Sequence, residues 1–246
     1  MCQSHNYHWN TWRERIKFFT VFLHYGIKLN LFNGKITFLP FKKKCCCSQL
    51  KLIRHGATLA VDLREFMSNT SENSSLSEKG IHQLEIISSQ IRKDMPDIVI
   101  VAPLKRTQDT WNILKYKLNC DVEVVQCDYL VGINNSVWAG KTFEELHEEE
   151  LWLFLRRECD HNTLVKTEGG DSWGDVIYRC IKVFEVLNDK YGDKKVLLIS
   201  QGSIYQAFKI LLHLCHEPWD GYSAEKMFHL SQSGTDVGYG KIIKLI

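Results

Sequence analysis

The sequence has no apolar run near the roughly 18 residues that a membrane-spanning helix requires. The longest apolar stretch near its start, residues 18–23, is too short for a usual signal-peptide core, and no small-residue cleavage site accompanies it. These absences predict a soluble, cytoplasmic protein.

The sequence also has no large excess of either charge, since 31 Lys and Arg residues oppose 29 Asp and Glu residues. A nucleic-acid-binding protein normally shows a strong basic excess on one face, so no nucleic acid partner is expected. The balance conceals an uneven distribution. Residues 1–48 hold eight basic residues and one acid, a net charge of +7, whereas residues 49–246 have a net charge of −5. Composition therefore divides the chain into a basic N-terminal extension (1–48) and a main domain (49–246).

The nine cysteines lack the patterns that would indicate a structural role. Three stand together as Cys45, Cys46 and Cys47, and the other six form no CxxC pair and have no histidine at metal-ligand spacing. Neither a disulfide framework nor a metal site is expected, and reduced thiols in the cytosol are the default.

The N-terminal extension has local signals of its own. A helix is predicted over 11–24, and Asn33-Gly34 between two strand-like runs predicts a hairpin. A basic stretch, FKKKCCC, then leads into the main domain. Three interpretations of residues 1–48 are open. The first is a loosely ordered extension, or an upstream stretch that is not part of the native protein, and the second is a docking or dimerisation element built on the hairpin. A third reading is an acylated basic patch at a membrane. We favour the extension, and no membrane association is expected.

From residue 50 onward, strand-like and helix-like segments alternate. This alternation predicts an α/β fold, a three-layer sandwich with a mostly parallel central sheet flanked by helices. Ser77 is predicted to cap the first helix of this domain, ahead of Leu84, Ile87 and Ile91 at helical spacing. Further helices are predicted over 104–118, 142–158, 171–188 and 203–214.

The segment LIRHGAT (52–58) contains the candidate catalytic residues. An apolar strand ends in Arg54-His55, and Gly56 allows a sharp turn beside a ligand. An imidazole on a rigid strand end can act as a nucleophile towards phosphorus while a guanidinium binds the phosphoryl oxygens. An Arg-His-Gly sequence alone is a weak signal, because a histidine near a strand end is more often structural.

Four more segments strengthen that signal, and together with LIRHGAT they resemble the motifs of the histidine phosphatase (phosphoglycerate-mutase-like) superfamily in family order. They are LSEKGIHQ (76–83), VAPLKRTQDT (101–110), EGGDSWGDVIYR (168–179) and VLLISQGSI (196–204). The resemblance implies that His55 is the nucleophile and forms a phosphohistidine. It also implies that the phosphorylated substrate is bound by Arg54, Arg106, Gln201, Gly56 and Thr58, with no metal or organic cofactor.

The chain departs from the family pattern at chemically important positions. Gln201 stands where the family has its second histidine, and Gly132 aligns with the usual glutamate. Val61 replaces a phosphate-contacting asparagine, and Asp171 replaces a glutamate. A nearby carboxylate could have taken over the role of the acid, the candidates being Asp128, Glu144 and Glu145.

These features favour a phosphomonoesterase of low or selective activity. The alternative is a catalytically impaired pseudophosphatase that binds a phosphorylated ligand or partner, and a pure scaffold is a third, less favoured possibility. The expected partner is a phosphorylated small molecule or a phosphoprotein. Neither the substrate nor the oligomeric state can be inferred from the sequence.

Overall fold

The computed structural model describes residues 12–24, 27–29, 36–38, 47–67, 75–158, 163–216 and 238–246. The strands in these ranges are β1 (Ile27–Leu29), β2 (Ile36–Phe38), β3 (Gln49–Arg54), β4 (Ile98–Val101), β5 (Glu123–Gln126), β6 (Lys195–Ser200) and β7 (Ile242–Lys244). The α-helices are α1 (Trp12–His24), α2 (Leu59–Asp62), α3 (Glu78–Lys93), α4 (Lys105–Leu118), α5 (Glu148–Glu158), α6 (Trp173–Lys190) and α7 (Gly202–His216).

The central sheet has the strand order β5-β4-β6-β3-β7. Strands β3, β4, β5 and β6 run parallel, and β7 pairs with β3 in the antiparallel direction. Parallel strands need crossover connections, and α3, α4 and α6 provide them here. The prediction of a mostly parallel sheet is confirmed.

Helices cover both faces of this sheet. Successive side chains of a strand point to opposite faces, so β6 contributes to two separate cores. Val196 and Leu198 pack with residues of α1, α6 and α7, whereas Leu197 and Ile199 pack with residues of α3 and α4. All of these side chains are buried, as expected for a central parallel strand. The arrangement is the predicted three-layer sandwich.

The predicted cap of the first helix of the main domain is confirmed. The Ser77 hydroxyl accepts a hydrogen bond from the Gly80 N–H and caps α3, and Leu84, Ile87 and Ile91 are buried beneath that helix. Helix α6 starts with a capping box, in which Ser172 accepts from the Asp175 N–H and Asp175 accepts from the Ser172 N–H.

The single helix predicted over 142–158 is wrong. The structure has a 3₁₀ turn at Phe143–Glu145 and then α5, with an extended residue, Leu146, between them. The Glu145 side chain turns back to accept from the Thr142 N–H, which closes the first turn on itself. Glu150 likewise accepts from the His147 N–H and starts a new helix. Each acid caps a short segment, so the helix does not continue across the acidic run.

Helix α1 packs on the main domain. Phe18 and Phe22 are buried in the same core as α6 and α7, with their rings stacked 5.6 Å apart. Phe18 also lies 6.1 Å from the Tyr178 ring of α6, and the Lys17 ammonium lies 4.2 Å from that ring's centroid. The division of the chain at residue 48 stays a prediction, but α1 contributes to the core of the domain that follows it.

The predicted hairpin is present as the antiparallel pair β1 and β2, with Ile27 opposite Phe38. Its Asn33-Gly34 turn lies outside the described residues, as do residues 41–46 of the basic stretch. Among the described cysteines, Cys120, Cys127 and Cys180 are free thiols. Among the described helices, none combines the length and the apolar character needed to cross a membrane.

Candidate active site

The candidate site lies at the carboxyl ends of three neighbouring parallel strands. Arg54 is the last residue of β3, Gln201 directly follows β6, and Arg106 lies in the first turn of α4, after β4. Strands β3 and β6 pair in register, with Arg54 opposite Ser200. Ligands of open α/β sheets bind at this edge, so the topology brings residues that are distant in sequence to one place.

His55 is completely buried at the centre of this site. Its Nδ1 lies 2.8 Å from the carbonyl oxygen of Gly56. A carbonyl oxygen only accepts, so Nδ1 carries the proton and Nε2 keeps its lone pair. Nε2 has no hydrogen-bond partner among the described residues. A buried imidazole is thus held in the tautomer that leaves Nε2 available to an incoming group.

Burial and two arginines keep this imidazole neutral. Burial lowers the pKa of His55 well below its usual value of 6.5, and the charges of Arg106 and, less strongly, Arg54 lower it further. The hydrogen bond to the Gly56 carbonyl opposes these effects. Burial also lowers the pKa of Arg106 to about 10, with Tyr239 opposing the shift and Arg54 adding to it. At neutral pH the site therefore combines a neutral imidazole with two guanidinium cations.

The backbone around His55 is fixed by bonds to three other elements. The His55 N–H donates to the Ser200 carbonyl at 3.0 Å, and the Gly56 N–H donates to the Thr110 hydroxyl at 3.1 Å. Thr110 itself donates to the Arg106 carbonyl, so the loop that carries His55 is linked to the helix that carries Arg106. These contacts fix the distance between the two predicted substrate-binding segments.

Gln201 and Gly132, the two main departures from the family pattern, are neighbours in space. Gln201 is buried, and its Nε2 has no hydrogen-bond partner within the described ranges. The Gly132 backbone packs so closely on Gln201 that an added Cβ would lie 2.9 Å from the Gln201 Cβ and 2.8 Å from the Ser203 hydroxyl. The position aligned with the family's glutamate therefore has no space for a side chain.

A network of polar contacts holds the Gly132 loop in this place. Arg179 donates to the carbonyls of Val131 and Gly132, both at 3.0 Å, and pairs with Asp171 at 2.8 Å. Asp171 also accepts from the Asn134 N–H at 2.9 Å. Asp171, predicted as the replacement for a family glutamate, thus anchors the loop together with Arg179.

Thr58 lies three residues after His55 and is buried at the N-terminus of α2. Its hydroxyl contacts the sulfur of Met67 at 3.5 Å. Val61 lies within α2 and is half-buried.

The three acids predicted as alternative proton donors lie in exposed positions. Glu145 closes the capping box with Thr142, Glu144 lies beside it in the same 3₁₀ turn, and Asp128 begins the turn after β5. Among the described residues, no carboxylate is one of the groups that shift the pKa of His55 or Arg106. The described residues also contain no group of three or more His, Cys, Asp or Glu side chains arranged to hold a metal ion.

Comparison with known proteins identifies the family. The sequence model of the histidine phosphatase superfamily (branch 1) matches residues 50–235, which is most of the chain. The chain belongs to the histidine phosphatase superfamily. This membership agrees with the resemblance of the five motifs and with the position of His55 at the end of β3.

Individual relatives within the superfamily are distant. Phosphoserine phosphatase 1 of Hydrogenobacter thermophilus is 27% identical over 125 residues, which are 51% of this chain and 58% of that protein. Fructose-2,6-bisphosphatase of Saccharomyces cerevisiae is 29% identical over 156 residues, 62% of this chain and 31% of that protein. This chain thus spans less than two thirds of either relative. A crystal structure of a phosphoserine phosphatase mutant from Entamoeba histolytica with phosphoserine gives a TM-score of 0.62 at 23% identity, covering 79% of this chain and 88% of that one.

The structure also brings to the site a residue that the sequence motifs do not indicate. Tyr239 lies just before β7, and its ring centroid is 3.6 Å from the Arg54 guanidinium carbon and 5.4 Å from the His55 ring. It belongs to no superfamily motif quoted above, and it reaches the site only because β7 pairs with β3. The single local signal there is the strand-like run GKIIKLI at residues 240–246.

Proposed function

We propose that this protein is a phosphomonoesterase in which His55 is the nucleophile. The observation that carries the proposal is the state of His55: a neutral, buried imidazole whose Nε2 lone pair is available beside two guanidinium groups. Neutral imidazole is a nucleophile and imidazolium is not, so lowering the pKa of His55 prepares it for attack at neutral pH. Arg54 and Arg106 bind the phosphoryl oxygens and offset their charge, and Gln201 donates an amide hydrogen.

The proposed reaction has two steps. In the first, the Nε2 lone pair forms a bond to phosphorus, and the ester P–O bond breaks with its electron pair leaving on the oxygen. In the second, a water oxygen attacks the phosphohistidine, the N–P bond breaks, and Nε2 recovers its lone pair. The water loses one proton to solvent, and phosphate leaves. The arginines stabilise the charge on the phosphoryl oxygens in both steps.

Activity is proposed to depend strongly on the leaving group. A missing general acid costs a factor of about 10²–10⁴ in rate when the leaving oxygen needs a proton. Gly132 has no side chain to supply one, and Asp128, Glu144 and Glu145 are exposed. An aryl oxygen leaves readily as a phenolate, whereas an alkyl oxygen needs protonation. The protein is therefore proposed to act selectively on phosphates whose leaving group needs little assistance.

A small phosphorylated molecule is the preferred substrate class. His55 is fully buried, and Arg106 and Gln201 are nearly so, which favours a compact phosphorylated group over a folded protein surface. The relatives named for phosphoserine and fructose 2,6-bisphosphate support this choice. A phosphoprotein remains the second candidate.

A pseudophosphatase is the alternative function, and one observation favours it. The close packing of Gly132 on Gln201 removes the space in which a proton donor would lie, while both arginines stay in place to bind an anion. Such a protein would bind a phosphorylated ligand without turnover.

The test is phosphate release from 4-nitrophenyl phosphate and from phosphoserine, measured side by side. His55→Ala is the test variant, and His82→Ala is the matched control because His82 is exposed on α3. Turnover of the aryl ester that disappears in His55→Ala and survives in His82→Ala supports the proposal. Comparable turnover of both esters would show that a proton donor acts after all. No turnover of either ester, with phosphate binding that requires Arg54 and Arg106, would favour the pseudophosphatase.

A further inference from the structure

The C-terminal segment makes direct contact with the backbone of the nucleophile loop. Strand β7 pairs with β3 so that Ile242 lies opposite Ile53. Just before β7, the Gly240 N–H lies 3.0 Å from the Arg54 carbonyl and 3.1 Å from the His55 carbonyl. The residue before Gly240 is thereby held beside the site.

That residue is Tyr239, and its ring lies against Arg54. The Arg54 guanidinium carbon is 3.6 Å from the ring centroid, which is cation–π contact distance. Arg54 also packs on the backbone of Gly202, where an added Cβ would lie 3.4 Å from the same guanidinium carbon. The guanidinium is thus packed by an aromatic ring and by the first residue of α7.

This packing opposes the electrostatic repulsion between Arg54 and Arg106. Arg54 and Arg106 carry like charges, and each lies close enough to His55 to lower its pKa. Two such cations repel each other, and a long arginine side chain can lower that repulsion by turning towards solvent. An aromatic face attracts the cation and limits its rotation, so the ring favours an inward-held guanidinium before any phosphate arrives.

The position of Tyr239 is itself fixed by Gly240. Gly240 has φ +64°, in the left-handed region, and an added Cβ would lie 2.6 Å from the Gln83 Cβ on α3. Gln83 in turn accepts from the Ala57 N–H of the nucleophile loop at 3.1 Å. The turn that carries Tyr239 is therefore packed against the helix that supports the loop.

We infer that Tyr239 is a positioning residue of the phosphate site, whose ring holds the Arg54 guanidinium in its phosphate-binding orientation. The inference rests on the proposed function for its catalytic consequence, but its effect on phosphate binding does not require turnover. It assigns this positioning role to the aromatic ring.

The experiment measures the dissociation constant of inorganic phosphate and the KM and kcat for 4-nitrophenyl phosphate in the full chain. Tyr239→Phe keeps the ring against Arg54 and is expected to retain most of the phosphate affinity that Tyr239→Leu loses. Tyr239→Leu loses the ring and is expected to weaken phosphate binding by about 5- to 30-fold, the range of a partly desolvated cation–π contact. KM should rise by a similar factor with little change in kcat, because the lost contact is present both before and during reaction. Tyr116→Leu, at a site 81% exposed, is the control that should change neither constant.

A double-mutant cycle separates positioning from a general structural effect. If Tyr239 acts through Arg54, Tyr239→Leu should weaken phosphate binding in the wild-type background and have no effect in an Arg54→Met background. Equal losses in both backgrounds would overturn the inference, as would unchanged phosphate binding in Tyr239→Leu or an equal loss in Tyr239→Phe. Tyr239→Met repeats the test if the leucine variant does not fold. A wild-type protein without turnover would contradict the proposed phosphatase, while the binding cycle would still decide the role of Tyr239.

Discussion

The backbone of Gly132 lies directly against the side chain of Gln201. A Cβ at position 132 would lie 2.9 Å from the Gln201 Cβ, a distance that real Cβ atoms essentially never show. The Cβ of residue 201 is present whether that residue is glutamine or histidine. The glycine is therefore required by the path of the loop, whatever the identity of the residue it packs against.

This contact predicts that Gly132→Ala destabilises the fold. The added methyl group must displace either the loop or Gln201, and overpacking of this kind costs about 1–3 kcal/mol. The loop resists displacement because Arg179 and Ser203 both hold its backbone. Denaturant unfolding of the variant and the wild type measures the difference in the free energy of unfolding.

Gly202→Ala is the matched control for this prediction. Gly202 begins α7, its φ lies outside the left-handed region, and an added Cβ would make only ordinary contacts at 3.4 Å or more. That variant should keep its stability or gain about 0.4–1 kcal/mol through the lower entropy of the unfolded chain. Equal stability of the two variants would show that the Gly132 loop is not packed on Gln201.

The sequence predicts the fold well because its signals are local or periodic. Ser77 caps α3 as predicted, and the alternation of strands and helices predicts the parallel sheet in which β3 and β6 place Arg54 and Gln201 at one edge. Arg106 is indicated in the sequence only by the resemblance of its segment to a family motif, and the structure places it in the first turn of α4, after the neighbouring strand β4.

The features that the sequence does not predict depend on contacts between distant segments. Tyr239 reaches Arg54 through the antiparallel pairing of β7, which no local pattern specifies. The lack of space at Gly132 follows from the path of a loop. The break at Leu146 arises because Glu145 caps its own turn, and helical periodicity alone cannot show this.

The neutral state of His55 predicts a pH-dependent contribution to stability. The pKa of His55 is well below 6.5 in the folded protein and close to 6.5 in the unfolded chain. Below pH 6.5 the unfolded chain binds a proton that folded His55 does not bind, so stability falls as the pH falls. For a single group, the free energy of unfolding changes by at most about 1.4 kcal/mol per pH unit. Above pH 6.5 the burial of His55 causes no pH-dependent loss of stability, and the loss grows as the pH falls from 6.5 towards the folded-state pKa.

The measurement compares the free energy of unfolding of the wild type and of His55→Gln from pH 7.5 to pH 5.5. The other titrating groups largely cancel in this comparison, so the difference between the two proteins isolates His55. The wild type should lose stability relative to His55→Gln as the pH falls below 6.5. A difference that does not change with pH would mean that His55 titrates normally in the folded state, and the argument for a neutral nucleophile would lose its basis.

The packing of α1 predicts that the N-terminal helix stabilises the whole domain. Phe22 is fully buried in the core shared with α6 and α7, and Phe18 packs beside it. Truncating a buried phenylalanine to alanine costs about 3–5 kcal/mol, so Phe22→Ala should lower the free energy of unfolding by that amount. Ile16→Ala on the same helix is the control, because Ile16 is 55% exposed and its truncation should change stability by less than about 0.5 kcal/mol. Equal effects of the two variants would place α1 outside the core and favour a separate N-terminal extension, whereas a large difference would make residues 12–24 part of the folding unit that carries His55.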